Sequence, residues 1–469
     1  MLCGTAQPQS PGLVGTPRLV ATDAVQLLHH PDPVVRGEAA LIAAATAERG
    51  AQTLLLQLAA DPAPAARLRA LIALGLLGTP AAIDLLDGCL RDTGTRGEAD
   101  GTAAAFGLGL APAELAQGAV NRLLLAVGQG SWRRQRDTLC GLLLGALRRD
   151  QPIEPAILRL LLDDDSNRDG DVRSLLLHHV LQGAPDLATT ELRRWLDRGT
   201  AGERLVVLGW LCHRADLELG ELVPVLTKLV QRGALGRERA LALGALTRMR
   251  LPNALELAPD ALSSGDTELA AQALRTMLGI GGARFVAALE QRILVVDDAA
   301  QRLALLEAFQ APLSTALADA CVAIAADPRL DHTLRCRAAL VLHRHRPERS
   351  QALLGDLFRA DPPPPHATDD RLLTALAQAR LGSGGDTPAL SRLLDGIADL
   401  GLDPARWTAL LHAGHAAAER QLVRRLGDRT ATPGQLAVAL TSWRRAQVLS
   451  RPDWPTAAVP TLLLDLLGH

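Results

Sequence analysis

Apolar residues in this chain recur in long blocks that open on charge and close on glycine or proline. Residues 66–80, ARLRALIALGLLGTP, are the sharpest case: two arginines, no charge from Ala70 to Pro80, then Gly78 and Pro80. A run of that length is too long for a typical buried strand, and its alanine and leucine content favours a helix. A lone surface helix needs a polar face, and this one has almost none. Similar blocks stand at 34–47 (VVRGEAALIAAATA), 96–110 (RGEADGTAAAFGLGL), 133–147 (RRQRDTLCGLLLGAL), 171–183 (DVRSLLLHHVLQG), 203–214 (ERLVVLGWLCHR), 236–249 (GRERALALGALTRM) and 334–345 (LRCRAALVLHRH).

Aligning the blocks on Arg36, Arg67, Glu98, Arg136, Arg173, Arg204, Arg239, Glu268, Arg302, Arg337, Arg371 and Arg406 gives steps of 29 to 38 residues. Second apolar segments lie between them, such as AQTLLLQLAA (51–60) and ELVPVLTKLV (221–230). One period therefore holds two helices and two turns, which predicts a solenoid. The turns agree. In HPDPVVR (30–36), DPAPAAR (61–67) and DHTLRCR (331–337), Asp is placed to cap a helix and Pro fits its first position, with Arg in the first turn. Glycines at the exits, as in LLGTP and LGIGG, stop one helix and turn the chain to the next. In a stack, each helix is packed by its partner and by the repeats before and after. The missing polar face is then expected, and Gly75 is placed for close helix approach.

These segments resemble HEAT repeats, especially the compact variety found in phycobilin lyases, whose unit reads D-x-D-x-x-V-R and then A-x-x-A-L-x-x-L-G. Asp61, Arg67, Ala70, Ala73, Leu74 and Gly78 fit that pattern, and His30 replaces the leading Asp of the first unit. Several later units lack the Asp, which predicts an incomplete Asp–Arg ladder. The resemblance implies an all-α fold, a right-handed alpha-alpha superhelix of HEAT-like or armadillo type with about twelve helix pairs. Tetratricopeptide repeats are the nearest rival, but their aromatic signature is missing. The expected organisation is a flexible tail over 1–20, a solenoid over 21–450 and a capping segment over 451–469, with Trp443 and Trp454 in the atypical end. DPPPPHATDD (361–370) reads as a long surface turn.

Composition narrows the function. The formal net charge is −2, against the basic excess expected of a general nucleic-acid binder. Lys228 is the only lysine beside 48 arginines, which points to a GC-rich bacterial genome. Aromatic residues make up 2% of the chain and tyrosine is absent, so base-stacking platforms and aromatic cages are poorly supported. Cys3, Cys89, Cys140, Cys212, Cys321 and Cys336 form no CxxC pair and fit a reducing, cytoplasmic setting as small apolar residues. The first residues show no signal-peptide pattern, and no apolar run reaches the roughly 18 residues of a membrane span.

Two features carry candidate chemistry. In DDDSNRDGDVR (163–173), Asp165, Asn167 and Asp169 before Gly170 match the first half of a calcium loop, with Asp171 as a further carboxylate. The twelfth loop position is Leu176 where a bidentate Glu belongs, so a solvated turn capping the next helix is the competing reading. The second feature is a stripe at six and nine residues past the anchor, offsets that share a helical face. It holds His179, Trp210, His213, Arg248, His343, Arg346, Arg380, His412 and His415 as candidate partner-binding residues. The histidine pairs lack the His-Glu dipeptides of HEAT-type di-iron hydroxylases. No P-loop, G-x-S-x-G or HExxH is present, and GIGGAR (279–284) follows a helical pattern. The sequence therefore predicts a non-catalytic scaffold with a protein partner, no cofactor other than the calcium candidate, and no membrane or nucleic acid. A chromophore-lyase-like accessory role and HEAT-like DNA binding, through clusters such as SWRRQR (131–136), stay open as alternatives.

Overall fold

The computed structural model describes residues 24–46, 50–91, 97–129, 136–148, 153–163, 169–183, 189–214, 220–359 and 431–447. Among them every regular element is helical and there is no strand. The chain divides into two compact units, Met1–Asp164 with Leu373–His469, and Asp165–Leu372.

The first unit holds α1 (Pro33–Ala45), α2 (Ala51–Leu58), α3 (Pro64–Leu77), α4 (Pro80–Arg91), α5 (Glu98–Leu110), α6 (Ala113–Gln129), α7 (Arg136–Arg148) and α8 (Pro155–Asp163). The second holds α9 (Gly170–Gly183), α10 (Thr189–Arg198), α11 (Ala201–His213), α12 (Val223–Arg232), α13 (Gly236–Arg248), α14 (Pro252–Leu262), α15 (Thr267–Gly281), α16 (Val286–Leu294), α17 (Ala299–Ala308), α18 (Thr315–Ala326), α19 (His332–His345) and α20 (Pro347–Arg359). Within each unit the odd-numbered helices pack on one another in a close row. The even-numbered helices form a wide row and touch their own neighbours in that row less. This is the all-α solenoid of helix pairs that the period predicts.

Local chemistry sets the helix ends. Asp32 accepts hydrogen bonds from the amides of Val34 and Val35 ahead of α1, Asp266 from Leu269 ahead of α15, and Asp331 from Thr333 ahead of α19. Each such cap contributes about 1 kcal/mol. Gly78 closes α3 in the left-handed conformation, with φ 62°, and Pro80 opens α4.

Small residues set how close the rows come. A Cβ on Gly75 would lie 1.9 Å from the carbonyl oxygen of Gly107, and one on Gly145 would lie 2.3 Å from that of Phe106. The backbones of α3, α5 and α7 are therefore in direct contact. Thr102 to Leu110 of α5 and Ala70 to Gly75 of α3 are buried without a break, as the all-apolar block requires.

The anchoring arginines are structural. Arg36 donates through Nη1 to the carbonyls of His30 and Pro31, both at 2.8 Å, and through Nη2 to Asp61 Oδ2 at 2.8 Å. Asp61 in turn accepts from the Ala63 amide at 2.8 Å, so one carboxylate ties two consecutive units and fixes a turn. Arg67 repeats the contact with Asp100 at 2.9 Å. Where Asp is missing, glutamate takes over, so the ladder runs further than the sequence pattern predicts. Arg173 reaches Glu203 at 2.9 Å, and Glu203 accepts from the Thr200 amide at 2.7 Å in a capping box. Arg204 pairs with Glu238, which accepts from the Ala234 amide.

One further helix, α21 (Pro433–Gln447), belongs to the first unit and packs on α1, burying Leu436, Ala439 and Leu440. The flank of the first close-row helix is thus covered by a segment distant in sequence. The expected tail over 1–20, the capping segment over 451–469 and the 361–370 turn lie outside the described residues.

Candidate partner-binding face

The guanidinium contacts give the repeat a physical register. Arg204, Arg239, Arg302 and Arg335 donate to the carbonyls of Gly199, Val230, Val296 and Ala325, each just ahead of its own helix or at the end of the preceding one. In α19 that residue is Arg335. Arg337, the more conspicuous arginine in the sequence, instead turns back to Glu307 at 2.5 Å. Anchoring on Arg337 therefore slips the sequence alignment by two residues at this helix. On α15 the anchor place falls to Ala270, two past Glu268, whose amide bonds to the Asp266 carbonyl as those of Arg302 and Arg335 bond to Asp298 and Asp331.

In the corrected register, the close row of the second unit has one accessible stripe. It lies five and nine residues past the anchor, and from α13 onward the same face continues two residues to either side of the anchor. On α9 it carries His178 and Gln182, and on α11 Gly209 and His213. On α13 it carries Arg237, Leu241, Gly244 and Arg248. On α15 the stripe carries Glu268, Gln272, Arg275 and Gly279, on α17 Ala300, Ala304 and Glu307, and on α19 Arg337, Leu340 and Arg344. Steps of four, three and four residues stay on one face of a helix. A Cβ built on Gly209 meets nothing within 4 Å, so the stripe is open there.

The expected site residues fall in different places. His213 and Arg248 are exposed and stand on the stripe. His179 is 4% accessible and faces the interior, which removes it as a partner contact. Trp210 is half-buried beside the stripe, with the Arg214 guanidinium 5.0 Å from its ring centre. His343 is half-buried, and its Nδ1 lies 2.9 Å from Oγ of buried Ser350, which itself donates to the Pro347 carbonyl. It ties α19 to α20. Burial lowers the pKa of both His178 and His343 from 6.5. Arg346 is exposed and reaches the Leu313 carbonyl at 3.2 Å. Arg380, His412 and His415 lie outside the described residues.

Of the calcium candidates, Asp165 and Asn167 lie outside the described residues. Asp169 Oδ1 accepts from the amides of Asp171 and Val172, both at 3.0 Å, as a cap on α9. Among the described residues no group of three or more His, Cys, Asp or Glu is arranged to hold a metal ion. Cys212, Cys321 and Cys336 are free thiols, and burial pushes Cys212 up to about 11 and Cys321 and Cys336 up to about 12. Such thiols stay protonated at neutral pH and make poor nucleophiles.

Sequence reasoning missed Gly209, Gly244, Arg275 and Arg344. The signal was present as a glycine five residues past the anchor in two successive units, but the offset of six steps just off the accessible face.

No helix among the described residues is long and apolar enough to cross a membrane. No curated protein matches the sequence. The crystal structure of an engineered protein aligns over 91% of this chain and 98% of its own at 15% identity, but its TM-score of 0.22 gives the likeness no weight. Residues 22–105 match the family model of HEAT repeats. That span covers α1 to α4 and most of α5, whose glycine contacts and arginine ladder have just been described. Over these residues the chain is similar to HEAT repeats, and the remaining described helices of each unit stand in the same close-row and wide-row arrangement.

Proposed function

We propose that the chain is a non-catalytic HEAT-repeat scaffold that binds a protein partner along the close row of its second unit, in a reducing, cytoplasmic setting. One observation carries this reading: the close-row helices of the first unit are buried through their middles, while those of the second unit keep a continuous accessible stripe. In a two-layer stack, the row whose helices stand closer lies on the inside of the curve, and repeat proteins use that side for recognition. The buried thiols of Cys321 and Cys336 accord with a reducing compartment.

The test compares two glycines that both face open space, Gly209 on α11 and Gly88 on α4. Tagged Gly209→Trp and Gly88→Trp chains would be used to capture partners from the source cells, with melting curves confirming that both fold. The reading predicts a partner that the wild type and Gly88→Trp retain and Gly209→Trp loses. A partner set indifferent to Gly209→Trp would contradict it.

A further inference from the structure

We propose that the open face binds an extended acidic protein segment, its carboxylates seated on cations that the close row leaves without acidic partners. The inference rests on the scaffold reading and adds the chemistry of the partner. Elsewhere in the close row, arginines are used up internally: Arg36, Arg67, Arg173 and Arg204 each hold a carboxylate of the following unit. On the open face the pattern changes. His213, Arg248 and Arg344 have no acidic partner among the described residues, and Arg275 meets only the Gln272 side-chain amide, at 3.4 Å.

A basic residue at a helix C-terminus favourably meets the helix dipole, which gives His213, Arg248 and Arg344 a local reason to be basic. It gives none for Arg275, which sits in the middle of α15. The acids of the stripe do not cancel these charges. Glu307 is held by Arg337, and Asp171 and Glu268 stand at the opposite, N-terminal edge of the face. The resulting edge is cationic and lined between its charges by Gly209, Leu241 and Gly244.

Geometry and side-chain type select the occupant. Adjacent helices of a packed row stand about 9 Å apart, and an extended chain advances about 3.3 Å per residue. An acidic residue at every third position would therefore meet one close-row helix after another. Single-stranded nucleic acid would need aromatic platforms. The nearby ring, Trp210, is already covered by Arg214.

The probe is a fluorescein-labelled peptide of about 15 extended residues, with Glu at every third position in a Ser/Gly background. Its anisotropy would be followed against the full chain, beside a Lys version and a single-stranded oligonucleotide of similar length. Binding of the Glu peptide alone is expected, weakening as salt is raised and falling at least roughly tenfold in Arg248→Glu/Arg344→Glu. No binding of the Glu peptide, equal binding of the oligonucleotide, or indifference to the double charge reversal would overturn the proposal. Gly209→Trp separates the two levels. If it abolishes partner capture while the peptide fails to bind wild type, the face stands and the acidic chemistry falls. If capture is unaffected, the face itself falls.

Discussion

The glycines of α3, α5 and α7 stand in the close row of the first unit and those of α11 and α13 in the close row of the second, and they do opposite things. In the first unit, Gly75, Gly107 and Gly145 allow backbones to touch, and the middles of their helices are shut from solvent. In the second, Gly209 faces open space, and Gly244 meets only the side chains of Cys212 and Gln272, the nearest atom at 3.1 Å. Hydroxyls enter the second row as well: Thr247 and Thr276 share a hydrogen bond at 2.7 Å. One residue type thus builds a closed row where it meets backbone and leaves an open one where it does not. Composition cannot distinguish the two, since both blocks read as small, apolar and helical.

The largest way to break this comparison is to give Gly75 a methyl group. Gly75→Ala forces a Cβ into the Gly107 carbonyl, a backbone atom that cannot swing aside, and should cost about 3 kcal/mol, read as a lowered unfolding midpoint. An unchanged midpoint would mean that the close row of the first unit is not in backbone contact. The ladder is the control, because it runs through both units. Glu203→Ala would strip Arg173 of its carboxylate and the Thr200 amide of its acceptor. Removing half of a buried pair costs about 3–5 kcal/mol. Arg173 keeps a side-chain exposure of 20%, so about 2 kcal/mol is expected here.

Acid should act on the second unit by a smaller amount. His178, His343 and His345 are all held below 6.5 by burial, with Arg344 and Arg346 adding to the effect at His345. As pH falls through 6.5, the unfolded chain takes up these protons before the native one does. Stability should therefore be flat above about pH 6.5 and decline below it. Hydrogen exchange in α9 and α19, corrected for intrinsic rates, should speed up on going from neutral pH to below that value. The smallest effect has the opposite sign to the first: Gly209→Ala adds a Cβ into open space within a helix and should stabilise by about 0.5–1 kcal/mol. Millimolar calcium should leave the unfolding temperature unchanged if Asp169 serves only as the cap on α9, and a rise would restore the calcium loop.

Much of the architecture was legible in the sequence because its signals are local. Asp32 and Asp331 cap where the turns place them, Gly78 turns left-handed, and the middle of the block at 66–80, Ala70 to Gly75, is buried as its missing polar face requires. The continuity of the ladder was hidden because Glu203 and Glu238 reach the same arginines from a longer side chain at a different position. The face was misplaced for a related reason. Arg335 and Arg337 are two residues apart, and only their contacts, to the Ala325 carbonyl and to Glu307, reveal which one sets the register. His179 illustrates the cost: a polar residue one position off the accessible face belongs to the interior.

The central claim is that one close row is shut and the other open. Hydroxyl-radical footprinting of the free chain, read by mass spectrometry, tests it directly. Leu241 and Leu340 in the second unit should be modified readily, while Leu71, Phe106 and Leu108 in the first stay protected. Equal protection of both sets, or modification of Leu71, Phe106 and Leu108, would contradict the account.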